Sequence, residues 1–566
     1  MTKLQQSYMC GDATQALIYD TIGNCFDQTV ERFPDQQALI VKHQNIRWSY
    51  RELQQKIDEL ATGLLELGIE PGDRVGIWGP NSYEWVLTQF ATAKIGAIMV
   101  CLNPAYRVYE LEYALNKVEC KAIITAECFK TSDYIGMLKE LAPELASANP
   151  YALNLEQLPH MRMMIRMGDE VTAGMLNFSQ VCDLNSGDAE QRLQALKTQL
   201  QPDDAINIQF TSGTTGRPKG ATLTHCNILN NAALTAEAMR FTEKDRLCIP
   251  VPLYHCFGMV LASLSCIVAG AAAVYPAAAY DPESTLQAVQ YERCTALHGV
   301  PTMFIGELDF PQFSQFDVSS LRTGVMAGSP CPEEVMRRVM SDLHMEHILI
   351  GYGQTELSPL NHITKPDDPV EKRIETVGRA VPRVEVKITD DQGRVVAIGE
   401  KGEVCTRGYS VMLGYWNDEE KTQETIDQAG WLHSGDIGIM DEEGYVRIVG
   451  RTKDMVIRGG ENIYPREVEE FLYTHPDVQD VQVFGIADEK MGEEVCAWIK
   501  LHDGKDVDAA AIKDFCRGKI THFKIPRYVQ FVEDYPMTVT GKIQKFKMRE
   551  MMQNQLAESP SELAAG

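Results

Sequence analysis

Apolar residues recur at helical spacing along 50–67 and again along 82–94. Each stretch opens on a polar residue with a glutamate three positions later, Ser49-x-x-Glu52 and Asn81-x-x-Glu84. A side-chain oxygen that takes a free backbone N–H, answered by a glutamate reaching back, is a helix start. The pattern predicts one helix ending at Gly68 and a second leading through Gly96, with apolar strands at Val75–Trp78 and Ala97–Leu102. Strand and helix alternating in this way imply parallel sheets covered by helices. The interval Pro143–Gln201 is polar and less patterned.

Beyond Gly378 the texture changes to short alternating strands at Val384–Ile388, Gly402–Arg407 and Tyr445–Val449, separated by glycine and Asp-Gln-Gly turns. A small β-rich subdomain is expected there. Gly450-Arg-Thr-Lys-Asp454 then leads into a compact α+β tail that frays after about Met552. The fold class is therefore α/β. A large N-terminal domain of several subdomains (1–452) is followed by a small α+β C-terminal domain (453–566).

From Leu247 to Tyr280 no residue is charged except for a possible His255. Prolines and glycines break the stretch, and its longest helical piece, Met259–Ala269, is about half the roughly 20 residues a membrane span requires. A buried helix followed by a buried strand is the expected outcome. His344-Met-Glu-His347 is too tight for a helical zinc motif and reads as a helix turn.

Composition narrows the function classes. The chain has 566 residues, 44% hydrophobic and 23% charged, as in an ordinary globular protein. Its net charge of −26 disfavours nucleic acid and repels acidic membrane. Fifteen cysteines are scattered without zinc-like spacing, and Met1–Gln15 has no charged-then-apolar signal pattern. A reducing, cytoplasmic setting is expected. Peripheral membrane contact and a homodimer stay open.

The densest chemistry lies at residues 210–225, FTSGTTGRPKGATLTH. Glycines let successive N–H groups converge on an anion, hydroxyls add donors, and Lys219 adds a positive charge. Composition alone reads equally as a solvated loop. Pro218 before Lys219 and Gly220 after it exclude the Gly-x-x-x-x-Gly-Lys-Ser/Thr pattern. The full order TSGTTGRPKG resembles the phosphate loop of the adenylate-forming enzymes, which include acyl- and aryl-CoA synthetases.

That resemblance extends over nearly the whole chain, through WSYREL (48–53), GYGQTE (351–356), GYW (414–416), WLHSGD (431–436), GRTKD (450–454) and PMTVTGK (536–542). In texture the chain is most similar to medium-chain fatty acyl-CoA synthetases. The resemblance implies that Thr211, Ser212, Gly213, Thr214, Thr215, Gly216 and Lys219 hold the phosphates of ATP. Glu356 would interact with Mg²⁺, and Thr355 would donate to the α-phosphate. Gly328, Ser329 and Pro330 would form a slot beside adenine, with Tyr352 stacked on it. Asp436 and Arg451 would contact ribose. Lys542 is the expected catalytic lysine, joining carboxylate and α-phosphate. The tail domain would rotate about a hinge at Lys453, and Gly460 would let the pantetheine of coenzyme A pass.

For the acid, the resemblance sets His255 beside the substrate carboxylate. No aspartate stands between Leu247 and Tyr280 to bind an α-ammonium, which argues against an amino acid. Gly353 stands where acetyl-specific relatives carry tryptophan, so a pocket lined by His255, Phe257, Val300, Met326 and Gly353 is expected to take more than acetate. Medium-length fatty acids fit best. Aryl acids, and transfer to a carrier-protein phosphopantetheine instead of coenzyme A, remain alternatives.

Overall fold

The computed structural model describes residues 4–211, 218–459, 461–488, 490–538 and 542–558. Two large sheets form the N-terminal part. One has eight strands, in which Leu176–Asn177, Met163–Arg166, Ala122–Thr125, Arg74–Trp78, Ile98–Cys101 and Ala205–Thr211 run parallel. The other has nine and pairs Thr323–Met326 in parallel with His347–Gly353. Helices between them are buried on most faces, and one continuous apolar core runs through both layers.

Local signals and structure agree at Tyr50–Glu66. Ser49 accepts from the Glu52 N–H, and the Glu52 carboxylate takes the Ser49 N–H at 2.8 Å. The second helix, Tyr83–Ile95, corrects the expectation by one residue, because Ser82 and not Asn81 caps it. Asn81 is buried and used elsewhere. Its amide donates to the Val251 carbonyl at 3.0 Å and accepts from the Leu253 N–H at 2.8 Å. The polar interval 143–201 also holds more order than its pattern suggested, with the strands Met163–Arg166 and Leu176–Asn177 and the helix Gly187–Gln199. These strands are too short for a two-residue alternation to stand out.

The uncharged stretch folds as expected, with buried helix and then buried strand. It begins with a π-helical segment, Phe257–Leu264, continues as Ser265–Ala269 and ends in the strand Ala272–Tyr275. No helix among the described residues is long and apolar enough to cross a membrane. The His344–His347 segment is not a helix turn. His344 has φ 57° in the link after Glu333–Asp342, and His347 starts a strand.

The β-rich subdomain is a five-stranded antiparallel sheet that includes Val384–Thr389, Lys401–Gly408, Leu432–Met440 and Val446–Arg451. The strand Leu432–Met440, which carries the HSGD motif, was not foreseen. A separate sheet starts at Val456 and joins Val478–Asp488, Gly492–Leu501 and Tyr528–Phe531, with its own apolar core. Its domain's contacts with the rest include polar ones, Lys401 with Glu467 at 2.9 Å and Arg466 donating to the Ile448 carbonyl at 3.1 Å, and the packing of Tyr464 against Gly450. Such a junction suits domain movement.

Candidate active site

The glycine-threonine segment lies between two paired strands. Strands Ala205–Thr211 and Lys219–Thr224 pair antiparallel, with Thr211 opposite Lys219. A strand follows the loop where a Walker-type site would have a helix. Ser212, Gly213, Thr214, Thr215 and Gly216 lie outside the described residues, as does Gly460. Lys219 emerges beneath Tyr415, its ammonium 4.1 Å from the ring centre. Burial lowers its pKa, and the Glu356 carboxylate opposes that shift.

Tyr415 links the two. Its hydroxyl donates to Glu356 Oε1 at 2.7 Å, and Glu356 is buried in the short turn Thr355–Leu357 that follows the strand His347–Gly353. Thr355 heads that turn. The GYW motif was visible in the sequence, but nothing in it told that Tyr415 would lie on Glu356. The strand Gly414–Tyr415 reaches Glu356 because it pairs with Ala221–Thr222.

Tyr352, one strand residue before Gly353, donates its hydroxyl to Asp436 Oδ2 at 2.7 Å. Asp436 Oδ1 accepts from Arg451 Nε at 3.0 Å. Asp436 and Arg451 are directly opposed across neighbouring strands, which holds this pairing in place. The Asp436 carboxylate keeps both partners raised, Tyr352 well above the ordinary tyrosine value with burial as the larger cause, and Arg451 above the ordinary arginine value. A carboxylate offers about four acceptor positions, so two remain for ribose hydroxyls.

Lys542 reaches the N-terminal part from the C-terminal domain. It lines a narrow cavity with Val251, Pro252, His255, Phe257, Val300 and Gly328. Burial, helped by the nearby Arg451 charge, lowers its pKa to about 8, while Glu356 and Asp436 act in the opposite direction. The Lys542 N–H donates to Thr538 Oγ1 at 3.0 Å, and its carbonyl accepts from the Thr538 N–H at 2.7 Å.

His255 is uncharged over the physiological range, since burial and the Lys542 charge push its pKa down to about 3. Its Nδ1 accepts from the Phe257 N–H at 3.2 Å, so the ring proton resides on Nε2. A neutral donor is thereby available to an acid's carboxylate. Asn81 braces the Val251–Leu253 backbone just before it, and the π-helical turn begins just after it. Such wide turns recur at functional sites.

Gly328 has φ 88°, and a Cβ there would lie 3.1 Å from Val300 and 3.9 Å from the Lys542 side chain. Ser329 and Pro330 continue from it in the loop after Thr323–Met326. Two expected lining residues differ. Met326 and Gly353 are absent from the cavity wall. A Cβ on Gly353 would meet the Pro359 carbonyl oxygen at 1.9 Å, so this glycine admits a neighbouring backbone and does not open the cavity.

The family model for the AMP-binding enzyme matches residues 26–416, and that for the AMP-binding enzyme C-terminal domain matches residues 467–542. The medium-chain acyl-CoA ligase ACSF2, mitochondrial, of Bos taurus is 48% identical over 558 residues, covering 97% of this chain and 90% of that one. Among solved structures, the anthranilate CoA ligase AuaEII in complex with anthranoyl-AMP superimposes with a TM-score of 0.84 at 27% identity, covering 96% of this chain and 100% of that one. ATP-bound MatB from Rhodopseudomonas palustris gives a TM-score of 0.79 at 28% identity, covering 94% and 99% of the two chains. The buried Glu356 and Asp436 carboxylates and the inserted Lys542 thus occur in a chain that belongs to the AMP-binding enzyme family.

Proposed function

We propose that this enzyme activates a medium-chain fatty acid with ATP and transfers the acyl group to coenzyme A. The observation that supports this best is the insertion of Lys542 beside His255 and Gly328, within the electrostatic reach of Glu356, Asp436 and Arg451. A carboxylate and an α-phosphate repel each other, and a positive charge between them lowers the barrier to their joining.

In the first half-reaction a carboxylate oxygen of the acid bonds to the α-phosphorus, the bond to the bridging oxygen breaks, and pyrophosphate leaves. His255 orients the acid through Nε2–H, and Lys542 neutralises the charge that gathers on the α-phosphate. Lys219 meets the outer phosphates. Asp436 and Arg451 hold the ribose. The buried Glu356 carboxylate is a hard oxygen donor of the type magnesium prefers, so it would hold Mg²⁺ together with phosphate oxygens. The ion would supply charge neutralisation there.

In the second half-reaction the thiol sulfur of coenzyme A bonds to the acyl carbon, its proton goes to solvent, and AMP leaves. The C-terminal domain would turn to bring the Gly459 segment to the acyl-adenylate. Gly459 has φ 60°, and a Cβ there would meet only the flexible end of Met491, at 2.6 Å. The wall formed by Val251, Pro252, Phe257 and Val300 is apolar, as a hydrocarbon acid requires, and the relative named as a medium-chain ligase supports that length.

The test is pyrophosphate release from Mg-ATP with carboxylates of two to sixteen carbons and with benzoate, each with and without coenzyme A. A maximum at middle lengths with turnover sustained by coenzyme A is expected. A benzoate maximum would make it an aryl ligase, and turnover with a holo-carrier protein alone would change the acceptor.

A further inference from the structure

A second group of ligating atoms lies in the β-rich subdomain, away from the cavity that Lys542 lines. Strands Lys401–Gly408 and Leu432–Met440 run antiparallel with Cys405 directly opposite His433. Glu403 stands two residues before Cys405, and the pairing register shifts between them, so that Glu403 faces Ile437 while Cys405 faces His433. His433 Nδ1 is 2.8 Å from Glu403 Oε2 and 3.6 Å from Cys405 Sγ, and Sγ is 4.0 Å from that same Oε2.

Three different donors, a carboxylate oxygen, a thiol sulfur and an imidazole nitrogen, thus converge within 4.8 Å of one another. Zinc bonds of about 2.3 Å to sulfur and about 2.0–2.2 Å to nitrogen and oxygen place tetrahedral ligands roughly 3.3–3.6 Å apart. The observed triangle brackets those separations. An ion pair between Glu403 and His433 would by itself explain the shortest side. The thiol also meets Thr389 Oγ1 at 3.7 Å and the Glu403 carbonyl at 3.9 Å, and it approaches His433 Nδ1 slightly more closely than either.

Outer contacts support the arrangement. His433 Nε2 lies 3.7 Å from Asp427 Oδ2, and Asp427 is itself held by the N–H groups of Ala429 and Trp431 at 2.8 and 2.9 Å. A carboxylate behind the far nitrogen is the usual support of a ligating histidine. Two carboxylates, Glu403 and Asp427, lie near two cations, Lys387 and Arg407, whose charged ends rest 4.4 and 4.6 Å over the Trp431 ring.

We propose that Glu403, Cys405 and His433 form a binding site for a thiophilic divalent cation of the zinc class, with water in the fourth position. On binding, the Cys405 thiol releases its proton to solvent and its sulfur becomes a ligand. Glu403 also connects the site to the catalytic sheet. Its other oxygen, Oε1, accepts from the Gly435 N–H at 3.0 Å, one residue before Asp436. An occupied site would therefore steady the strand that carries Asp436.

Cobalt(II) titration of the full-length, reduced, chelator-treated enzyme tests this, with the exposed Cys10 and Cys128 replaced by serine to remove background thiols. One cobalt per chain with a thiolate charge-transfer band is expected, displaced by zinc. The band should vanish in Cys405→Ser, and Asp427→Asn should weaken affinity by about 10-fold or more. His433→Gln, at a half-buried position, provides a second variant should Cys405→Ser fold poorly, as judged by circular dichroism. Absence of a thiolate band in the parent, or a band of equal strength in folded Cys405→Ser or His433→Gln, would overturn the proposal.

Discussion

Asp436 and Arg451 face each other across two adjacent strands, with the guanidinium Nε 3.0 Å from Oδ1. The pair lies where the β-rich subdomain ends, since Arg451 closes the last strand of that sheet and the next sheet starts at Val456. The proposed ribose site and the proposed pivot of the C-terminal domain are thereby one local structure. Tyr352 completes it by occupying the other carboxylate oxygen.

Asp436→Asn should raise the KM for ATP. The amide loses the negative charge and one acceptor, and hydrogen bonds to charged groups contribute about 1.5–3 kcal/mol, equivalent to about 10- to 100-fold. Tyr352→Phe should cost less, because Arg451 still orients the carboxylate. Steady-state kinetics with saturating acid separates the two, and equal losses would show that Tyr352 does more than position Asp436.

Lys542→Ala should slow adenylation by about 10²–10³-fold, the usual loss for one preorganised donor. Thioester formation from supplied acyl-AMP should survive, since that step does not join two anions. Pyrophosphate release and single-turnover thioester assays read the two halves. Equal loss in both, in a folded protein, would remove the division of labour.

The adenylation rate should fall as pH rises through about 8. Lys542 acts as an ammonium, and its pKa lies at about 8, so each pH unit above that removes most of the active form. In Lys542→Arg the residual activity should lack this falling limb, because guanidinium stays charged. His255, already neutral above about 3, should add no limb near 6.5. The pH profile of pyrophosphate release checks both.

Acid should destabilise the fold well before the carboxylates titrate. His225, His298 and His362 are fully buried, and burial pushes their pKa values down to about 3, 4 and 3. Below about 6.5 the unfolded chain takes up protons that the fold refuses, so stability falls with pH by up to about 1.4 kcal/mol per unit for each histidine. Glu307, whose pKa burial raises well above normal, has the opposite sign and offsets one of the three. Thermal melting at pH 7 and pH 5 should show a clearly lower midpoint at pH 5.

Glu307 itself yields the converse test. Both its carboxylate oxygens are buried without a hydrogen-bond partner among the described residues. It is held neutral in the fold, and rising pH makes that proton costly. Glu307→Gln should raise the melting midpoint at pH 8 and change it little at pH 5. An equal shift at both values would mean the effect is packing alone.

Much of the site was readable locally. The Ser49 cap, the glycine-threonine segment before Lys219 and the order of the motifs depend on neighbours a few residues apart, where turn and cap chemistry is decided. The short strands of the 143–201 interval and the strand under HSGD were not readable. They gain their order from partners far along the chain, and their own pattern is too brief to announce them.

By itself the sequence determined which chemical groups this protein owns: a phosphate loop with one lysine, a late Gly-Lys turn, acidic residues in fixed motifs and a histidine in an uncharged stretch. Only the tertiary structure decided which of them meet. Tyr415 lies on Glu356, Asn81 braces Val251 and Leu253, and Cys405 faces His433 because strand register brings together residues that are distant in the chain. The same packing excludes water, and that exclusion is what keeps His255 neutral and brings Lys542 to about 8.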